Sequence, residues 1–269
     1  MTAEPSRDDE RRSDDERRRD DQDDPRGVSG DDRRRHDGRR RVLLAIDTAT
    51  TRCLVATAAR TGRLDGATTW PAGYRHGETL LPTIGRFLGE QNVRRSRLAG
   101  IVVGTGPGAF TGLRVGLATA KTLAAAMDLP IVGVSSAEAL LAAAQATGAA
   151  AAGEPTPERL VLMLPAGPAD RLLIRPGIAP ALVPGGTEPD LAVDETLVAL
   201  DLPDRAPAAA LVRGEAAWSG FAAALVALGA KRLAEGDADD RAALVPEYVT
   251  LPRGISATAG EVTWSRDPR

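Results

Sequence analysis

The chain has 269 residues, 43% of them hydrophobic but only 3% aromatic, which predicts one two-lobed domain or two small domains around an aliphatic, alanine-rich core. A formal net charge of −3 excludes a global attraction to nucleic acid or to an anionic membrane. The single cysteine, Cys53, excludes an internal disulfide and fits a reducing cytosol. We find no apolar stretch long enough to span a bilayer and no apolar core of an export signal, so a cytoplasmic protein is expected.

Residues 1–41 form a compositionally separate segment in which Asp and Arg dominate and nearly balance each other. With almost no apolar surface to bury, such a segment cannot offset its ordering entropy, so we predict a disordered tail. The alternative is an arginine-rich arm that contacts RNA phosphates. The interspersed aspartates would weaken such an arm by pairing with its arginines, and this favours the disordered tail.

The first lobe, residues 42–147, opens with three apolar stretches separated by turn residues. These predict an antiparallel meander of strands over Val42–Asp47, Arg52–Ala59 and Leu64–Trp70. Apolar residues at helical spacing then predict a helix over His76–Glu90. Pro82 lies inside this helix, so its regular part is expected to start near Leu81.

A strand, a glycine-rich turn and a long helix follow between residues 98 and 127. The strand is predicted over Leu98–Val103 and the helix over Thr111–Met127, with Thr111 as its N-cap. Small residues recur at a spacing of four along one face of this helix, at Gly112, Gly116 and Ala120. Because glycine costs about 1 kcal/mol in a helix interior, the stripe requires close packing, either on the chain's own sheet or on another subunit.

The first lobe ends with a fifth strand and a third helix. The strand is predicted over Ile131–Val134, and Ser135 with Glu138 three residues later forms a capping box for a helix over Ala137–Ala146. The resulting order, β-β-β-α-β-α-β-α, predicts an α/β fold with a mixed sheet.

Residues 148–158 have linker composition, and residues 159–269 are predicted to form a smaller second lobe. Its expected strands are Leu160–Leu164, a hairpin partner Arg171–Ile174, Leu182–Val183 and Ala208–Val212. An amphipathic helix is expected over Phe221–Ala234, followed by an extended tail over Val245–Arg253.

The central glycine turn, Gly104–Gly108, is a weak candidate for a phosphate-binding loop. It lacks the lysine of a P-loop and the order of a dinucleotide-binding turn, although free N–H groups at a helix start attract anions. Asp47, at the end of the first strand, is able to hold a hydrated magnesium ion beside a phosphate, but closing a turn is the slightly favoured role. The candidate nucleotide or anion contacts are therefore Asp47, Thr48, Gly106, Gly108 and Thr111.

Other catalytic chemistries receive little support. A Ser–His–acid site would need Ser135, His76 and Asp47 to meet, whereas capping explains Ser135 more simply. His36, His76 and Cys53 do not form a pair with metal-ligand spacing, so no metal site is predicted.

Several motifs together resemble the bacterial TsaB family, also called YeaZ. The resemblance is good over Val42 to about Leu140 and thin over the second lobe. The motifs are LLAIDTAT at Leu43–Thr50, HGETLLP at His76–Pro82, GTGPGAFTGLRVG at Gly104–Gly116, IVGVSSAEAL at Ile131–Leu140 and VPEYV at Val245–Val249.

The resemblance implies a two-lobed actin-like or sugar-kinase-like (ribonuclease H-like) fold with mixed sheets and a reduced second lobe. It implies a non-catalytic partner of a TsaD-like subunit, which acts with a TsaE-like ATPase to place N6-threonylcarbamoyladenosine on tRNAs reading codons that begin with A. This chain would bind no cofactor alone, ATP and metal would belong to the partner subunits, and tRNA would be bound through the complex.

The resemblance also implies that the first-lobe helices form the partner interface and allow self-pairing into a homodimer. It maps the interface onto His76, Leu80, Ile84, Gly112, Leu113, Gly116 and Ala120. Two departures from the wider family are visible. Leu80 stands where TsaD-like proteins place the second histidine of a metal pair, and Pro165-Ala166-Gly167 replaces an Asp-Ala-Arg segment common in TsaB sequences.

Two alternative functions stay open at this stage. A nucleotide-dependent phosphotransferase or ATPase of the same superfamily would need Asp47, the turn after it and a second phosphate loop, for which only Gly185-Gly186 is available. A peptidase would need a metal or a triad that the sequence does not supply.

Overall fold

A computed structural model describes residues 41–71, 73, 75–148 and 159–248. The predicted tail over residues 1–41 lies outside this range except for Arg41, and so do most of the expected linker and everything after Tyr248. The described chain holds nine strands and four α-helices, and they form two sheets that lie in successive halves of the chain.

The first-lobe sheet has the strand order β3-β2-β1-β4-β5. Strands β1, β2 and β3 form the predicted antiparallel meander, whereas β4 and β5 run parallel to β1. The strands are β1 Val42–Asp47, β2 Arg52–Ala59, β3 Leu64–Pro71, β4 Leu98–Gly106 and β5 Ile131–Ser135. A 3₁₀ turn over Arg95–Arg97 precedes β4.

The first-lobe helices are α1 His76–Glu90, α2 Phe110–Ala126 and α3 Ser136–Ala146. Helix α1 begins at His76 and not near Leu81, so the exposed Pro82 lies within the helix. The predicted N-cap Thr111 is wrong, since the N-cap is Ala109, two residues earlier, and Thr111 lies within the first turn of α2. The predicted N-cap Ser135 is confirmed, since its Oγ accepts a hydrogen bond from the backbone N–H of Glu138 at 3.4 Å, which is one of the two bonds of a capping box.

The second-lobe sheet has the order β8-β7-β6-β9, which repeats the order β3-β2-β1-β4 of the first lobe. In both lobes, two antiparallel pairings lie on one side of the first strand of the lobe, and a parallel pairing lies on its other side. The second lobe is thus a reduced copy of the first. Its strands are β6 Arg159–Pro165, β7 Arg171–Ile174, β8 Ala181–Val183 and β9 Glu195–Ala199.

Helix α4, Ala208–Ala234, differs most from the prediction. Residues Ala208–Val212, expected as a strand, form its first turns, and β9 was not foreseen. Pro207 lies immediately before the helix, and the alanine-rich run after it favours helix throughout. Its length and apolar composition would by themselves allow it to cross a membrane, contrary to expectation, although Phe221, Leu225 and Val226 are buried in the core.

Helix α4 packs on both lobes and joins them through one hydrophobic core. That core contains Leu43 and Val102 from the first lobe, Leu162 from the second, and Phe221 from α4. A Cβ atom added at Gly229 would lie 2.5 Å from Val102 Cγ1, so the glycine permits close approach of α4 to β4. The two lobes therefore share a helix and a core, which opposes a hinge motion between them.

Candidate partner interface and the closed phosphate turn

The turn after β1 is buried and its polar groups are already paired. Asp47 is fully buried, its Oδ1 accepts from the N–H of Ala49 at 2.9 Å, and its Oδ2 accepts from Ser136 Oγ at 2.5 Å. Burial raises the pKa of Asp47 above its ordinary value, although both hydrogen bonds oppose that rise. Asp47 therefore acts as a turn-closing group, which was the favoured interpretation.

The remaining expected anion contacts fit the same conclusion. Thr48 Oγ1 donates a hydrogen bond to the carbonyl of Gly112 at 2.7 Å, and Thr48 is 1% exposed. A Cβ atom at Gly108 would overlap the carbonyl of Ala49, which accepts from the N–H of Ala109 at 2.8 Å. Gly106 is buried, and of the five expected contacts only Thr111 is exposed. The chain's own atoms thus fill the space that the sequence assigned to a phosphate.

A clasp from the second lobe holds this turn in place. Asp201 Oδ2 accepts from the N–H of Thr51 at 2.8 Å. Arg52 donates to both oxygens of Glu215 at 2.9 and 3.0 Å, and its guanidinium lies 4.3 Å from the centroid of the Trp218 ring. The backbone N–H of Thr51 is therefore already paired with a carboxylate of the second lobe.

The structure does not assemble the candidate catalytic triad. Ser135 Oγ bonds to the carbonyl of Gly106 at 3.1 Å and to Glu247 Oε2 at 3.2 Å. His76 is 7% exposed, and its Nε2 has no hydrogen-bond partner among the described residues. Burial lowers the pKa of His76, so the imidazole is neutral at pH 7. Among the residues that the structure describes, Ser135 therefore has no histidine to act as its base.

The small-residue stripe of α2 faces the chain's own first lobe. A Cβ atom at Gly116 would overlap Thr48 Oγ1, and one at Gly112 would overlap the Thr48 carbonyl and lie 3.1 Å from His76 Nε2. Each of the residues expected to contact a partner is buried within the chain, namely His76, Leu80, Ile84, Gly112, Leu113, Gly116 and Ala120. This corrects their expected role, because the stripe is needed for internal packing, which was the alternative left open for it.

Helix α1 presents a second set of small residues that the sequence analysis overlooked. Gly77, Gly85 and Gly89 are exposed, and an added Cβ atom at each would meet nothing within 4 Å. Leu81 lies on the same face and is 55% exposed. The spacing of four along Gly77, Leu81, Gly85 and Gly89 was a readable signal, but the sequence could not show which face is buried.

A segment after α4 returns to the first lobe and contacts the C-terminal end of β4. The N–H of Glu247 donates to the carbonyl of Thr105 at 2.8 Å, and Thr105 Oγ1 donates to Glu247 Oε1 at 2.5 Å. Tyr248 then accepts from Arg114 Nε at 2.9 Å, and the same guanidinium stacks on Phe110 at 3.8 Å. Glu247 and Tyr248 therefore fasten this segment to β4 and to the start of α2.

A cleft of about 670 Å³ runs between α3 and the second lobe. Its lining is largely apolar, with Leu141, Val161 and Ile174, and includes Arg159 and Arg175. Both arginines pair with the buried carboxylate of Glu195, at 3.3 and 2.7 Å, and these bonds lower the pKa of Glu195 to about 2. Among the described residues there is no cluster of three metal-ligating side chains.

The mixed sheets, the repeated strand order and the shared core define a two-lobed actin-like or sugar-kinase-like fold with a reduced second lobe. The family model for TsaD, tRNA N6-adenosine threonylcarbamoyltransferase, matches residues 70–174. The chain is 42% identical over 67 residues to the tRNA threonylcarbamoyladenosine biosynthesis protein TsaB of Bacillus subtilis, covering 25% of this chain and 29% of that protein.

TsaB of Haemophilus influenzae is 35% identical over 102 residues, which is 38% of this chain and 42% of that protein. A crystal structure from Pseudomonas aeruginosa, described as similar to peptidase YeaZ, superposes with a TM-score of 0.57 and 25% identity over 78% of this chain and 99% of that one. These matches support the resemblance to the TsaB (YeaZ) family that the motifs indicated. The matched segments span less than half of the curated relatives.

Proposed function

We propose that the chain is a cytoplasmic, non-catalytic partner of a TsaD-like subunit in the N6-threonylcarbamoyladenosine modification of tRNA. A TsaE-like ATPase completes the proposed assembly, tRNA binds through the complex, and ATP and metal belong to the partner subunits. The observation that carries the proposal is the outward face of α1, where three exposed glycines have no role within the described chain.

Gly85, in the interior of α1, carries a cost that the described part of the molecule does not recover, whereas Gly77 and Gly89 lie next to the first and last residues of the helix. Each glycine in a helix interior is about 1 kcal/mol less favourable than alanine. At Gly112 and Gly116 the neighbouring Thr48 leaves no room for a side chain. Gly85 and Gly89, by contrast, face open space. A helix of a partner molecule would supply a reason for these glycines, because small residues allow two helices to approach closely.

Leu81 supplies the apolar contact on this face. A leucine 55% exposed between Gly77 and Gly85 fits a pocket on a partner, while the glycines let the two backbones approach it. The neighbouring helix α2 adds the small exposed residues Ala118 and Thr122. The interface is therefore proposed on the outward faces of α1 and α2, and the same faces serve for self-pairing.

The closed phosphate turn favours a non-catalytic role over the phosphotransferase or ATPase alternative. Asp47 and Thr48 are buried and paired, and the carboxylate of Asp201 takes the N–H of Thr51. The shared core further opposes opening of the lobes around a nucleotide. The peptidase alternative lacks support, because Ser135 and His76 are not paired with each other.

The proposal is tested by capture of a purified TsaD-like subunit from the same organism on the immobilised full chain. The wild-type chain should capture it, and Gly85→Leu should reduce capture at least tenfold while the far-ultraviolet circular dichroism stays unchanged. Ala223→Leu, at an exposed position of α4, is the matched control and should capture normally. Wild-type capture by Gly85→Leu would remove α1 as the interface, and no capture by the wild-type chain would refute the partnership.

A further inference from the structure

Five arginines lie at one end of the strands of the first-lobe sheet, the end at which β1, β3 and β4 begin and β2 ends. Arg41 precedes β1, Arg60 follows β2, Arg63 precedes β3, and Arg94 and Arg95 lie just before β4. We call these five residues the basic edge. Each of them is exposed.

Strand register places the five arginines side by side. Val42 pairs with Ala59 on β2 and with Leu98 on β4, so Arg41 lies between the ends of β2 and β4 that carry the other arginines. The N–H of Ala59 donates to the carbonyl of Arg63 at 2.9 Å, which closes the turn that holds Arg60 and Arg63. Three strand spacings separate β3 from β4, so the row is about 14 Å long.

Most of this charge is not neutralised within the described chain. Arg63 pairs with Asp65 at 2.6 Å, but Arg41, Arg60, Arg94 and Arg95 form no ion pair or side-chain hydrogen bond with any described residue. Neighbouring like charges repel one another, and a chain with a net charge of −3 does not need such a row for solubility. A bound polyanion would remove this repulsion.

The chemistry of the row favours RNA phosphate. A guanidinium presents a planar fork of donors that matches phosphate oxygens. None of the large exposed apolar side chains of the described chain, such as Leu81 and Tyr248, lies on this edge. An anionic membrane would be expected to take up apolar residues as well, so a membrane fits less well.

We propose that the basic edge binds the phosphate backbone of tRNA directly, so that this subunit contributes its own contacts to the substrate. The inference rests on the proposed function, because it takes tRNA as the nucleic acid that the assembly handles. The contact is to backbone phosphates and does not read sequence.

The test measures binding of the full chain to an unmodified tRNA transcript by fluorescence anisotropy over a range of salt concentrations. The double variant Arg94→Gln/Arg95→Gln should weaken binding and reduce the log–log salt slope by about 1.4 to 1.8, which corresponds to two lost phosphate contacts. The matched control Arg75→Gln/Arg86→Gln, at the N-cap of α1 and within it, removes the same charge from exposed positions and should leave the slope unchanged. Arg94→Lys/Arg95→Lys should retain the slope, because the charge is kept.

Three results would overturn the inference: no binding of tRNA at low salt, an equal loss in both glutamine doubles, or binding to phosphatidylglycerol vesicles that depends on these arginines while tRNA binding does not. Capture of the TsaD-like subunit by the same variants separates the two proposals. If capture is normal and tRNA binding is insensitive to Arg94 and Arg95, the tRNA-binding role of the basic edge is wrong and the proposed function stands.

Discussion

Two glycine-to-alanine substitutions on neighbouring helices should have opposite effects on stability. At Gly116 on α2, the new methyl group would overlap Thr48 Oγ1 and displace the hydroxyl that donates to the Gly112 carbonyl. Overpacking of this kind costs about 1–3 kcal/mol, and loss of the buried hydrogen bond costs about 1 kcal/mol more. The gain in helix propensity returns only about 1 kcal/mol, so Gly116→Ala should destabilise the chain by about 1–3 kcal/mol.

At Gly85 on α1, the same substitution meets open space, and only the gain in helix propensity applies. Gly85→Ala should therefore stabilise the chain by about 0.5–1 kcal/mol. Thermal unfolding of the full chain followed by circular dichroism measures both changes, at about 2–4 °C per kcal/mol for a domain of this size. A Gly116→Ala variant as stable as Gly85→Ala would refute the conclusion that the α2 stripe packs inside the chain.

Three further predictions concern buried side chains. Burial lowers the pKa of His76 below its ordinary value of 6.5, so His76 takes up a proton in the unfolded chain at a higher pH than in the folded chain. The free energy of unfolding should therefore fall as the pH drops below 6.5. His76→Gln should flatten this dependence in urea melts at pH 5 and 7. Burial raises the pKa of Cys53 to about 12, so a thiol reagent at pH 8 should label the native chain slowly and the urea-unfolded chain at once; rapid native labelling would contradict the burial of Cys53. Asp47→Asn keeps an acceptor for the N–H of Ala49 and should melt close to the wild type, whereas Asp47→Ala leaves that donor unpaired and should lose about 1–3 kcal/mol; equal melting of the two variants would exclude a structural role for the carboxyl oxygens.

The first lobe was predictable because its local signals agree with one another. Strands β1 and β2 are largely apolar, and Ser135 followed by Glu138 marks the start of a helix without tertiary information. The second lobe was harder to predict. The segment Ala208–Val212 is short and apolar, so its pattern fits a strand or a helix. Only its continuation to Phe221 and the packing of α4 on both lobes identify it as helical.

The candidate site was predicted only in part, because a helix face cannot be oriented from one sequence. The spacing of Gly112 and Gly116 correctly indicated close packing, but the packing partner is Thr48 of the same chain. The outward stripe with Gly85 carried the same spacing signal and could be recognised only after the buried face was known. The clasp between Thr51 and Asp201 joins residues 150 positions apart, and no local pattern encodes it.

The central claim is that the chain serves a tRNA-modifying assembly without performing the chemistry itself. It is tested most directly by reconstituting threonylcarbamoyladenosine formation from the purified full chain with TsaD-like and TsaE-like subunits of the same organism, followed by nucleoside analysis of the tRNA. Product should form only when the chain is present, should be retained with Asp47→Asn and should be lost with Gly85→Leu. Product formation at an unchanged rate without the chain, or ATP turnover by the chain alone that disappears in Asp47→Asn, would contradict the account.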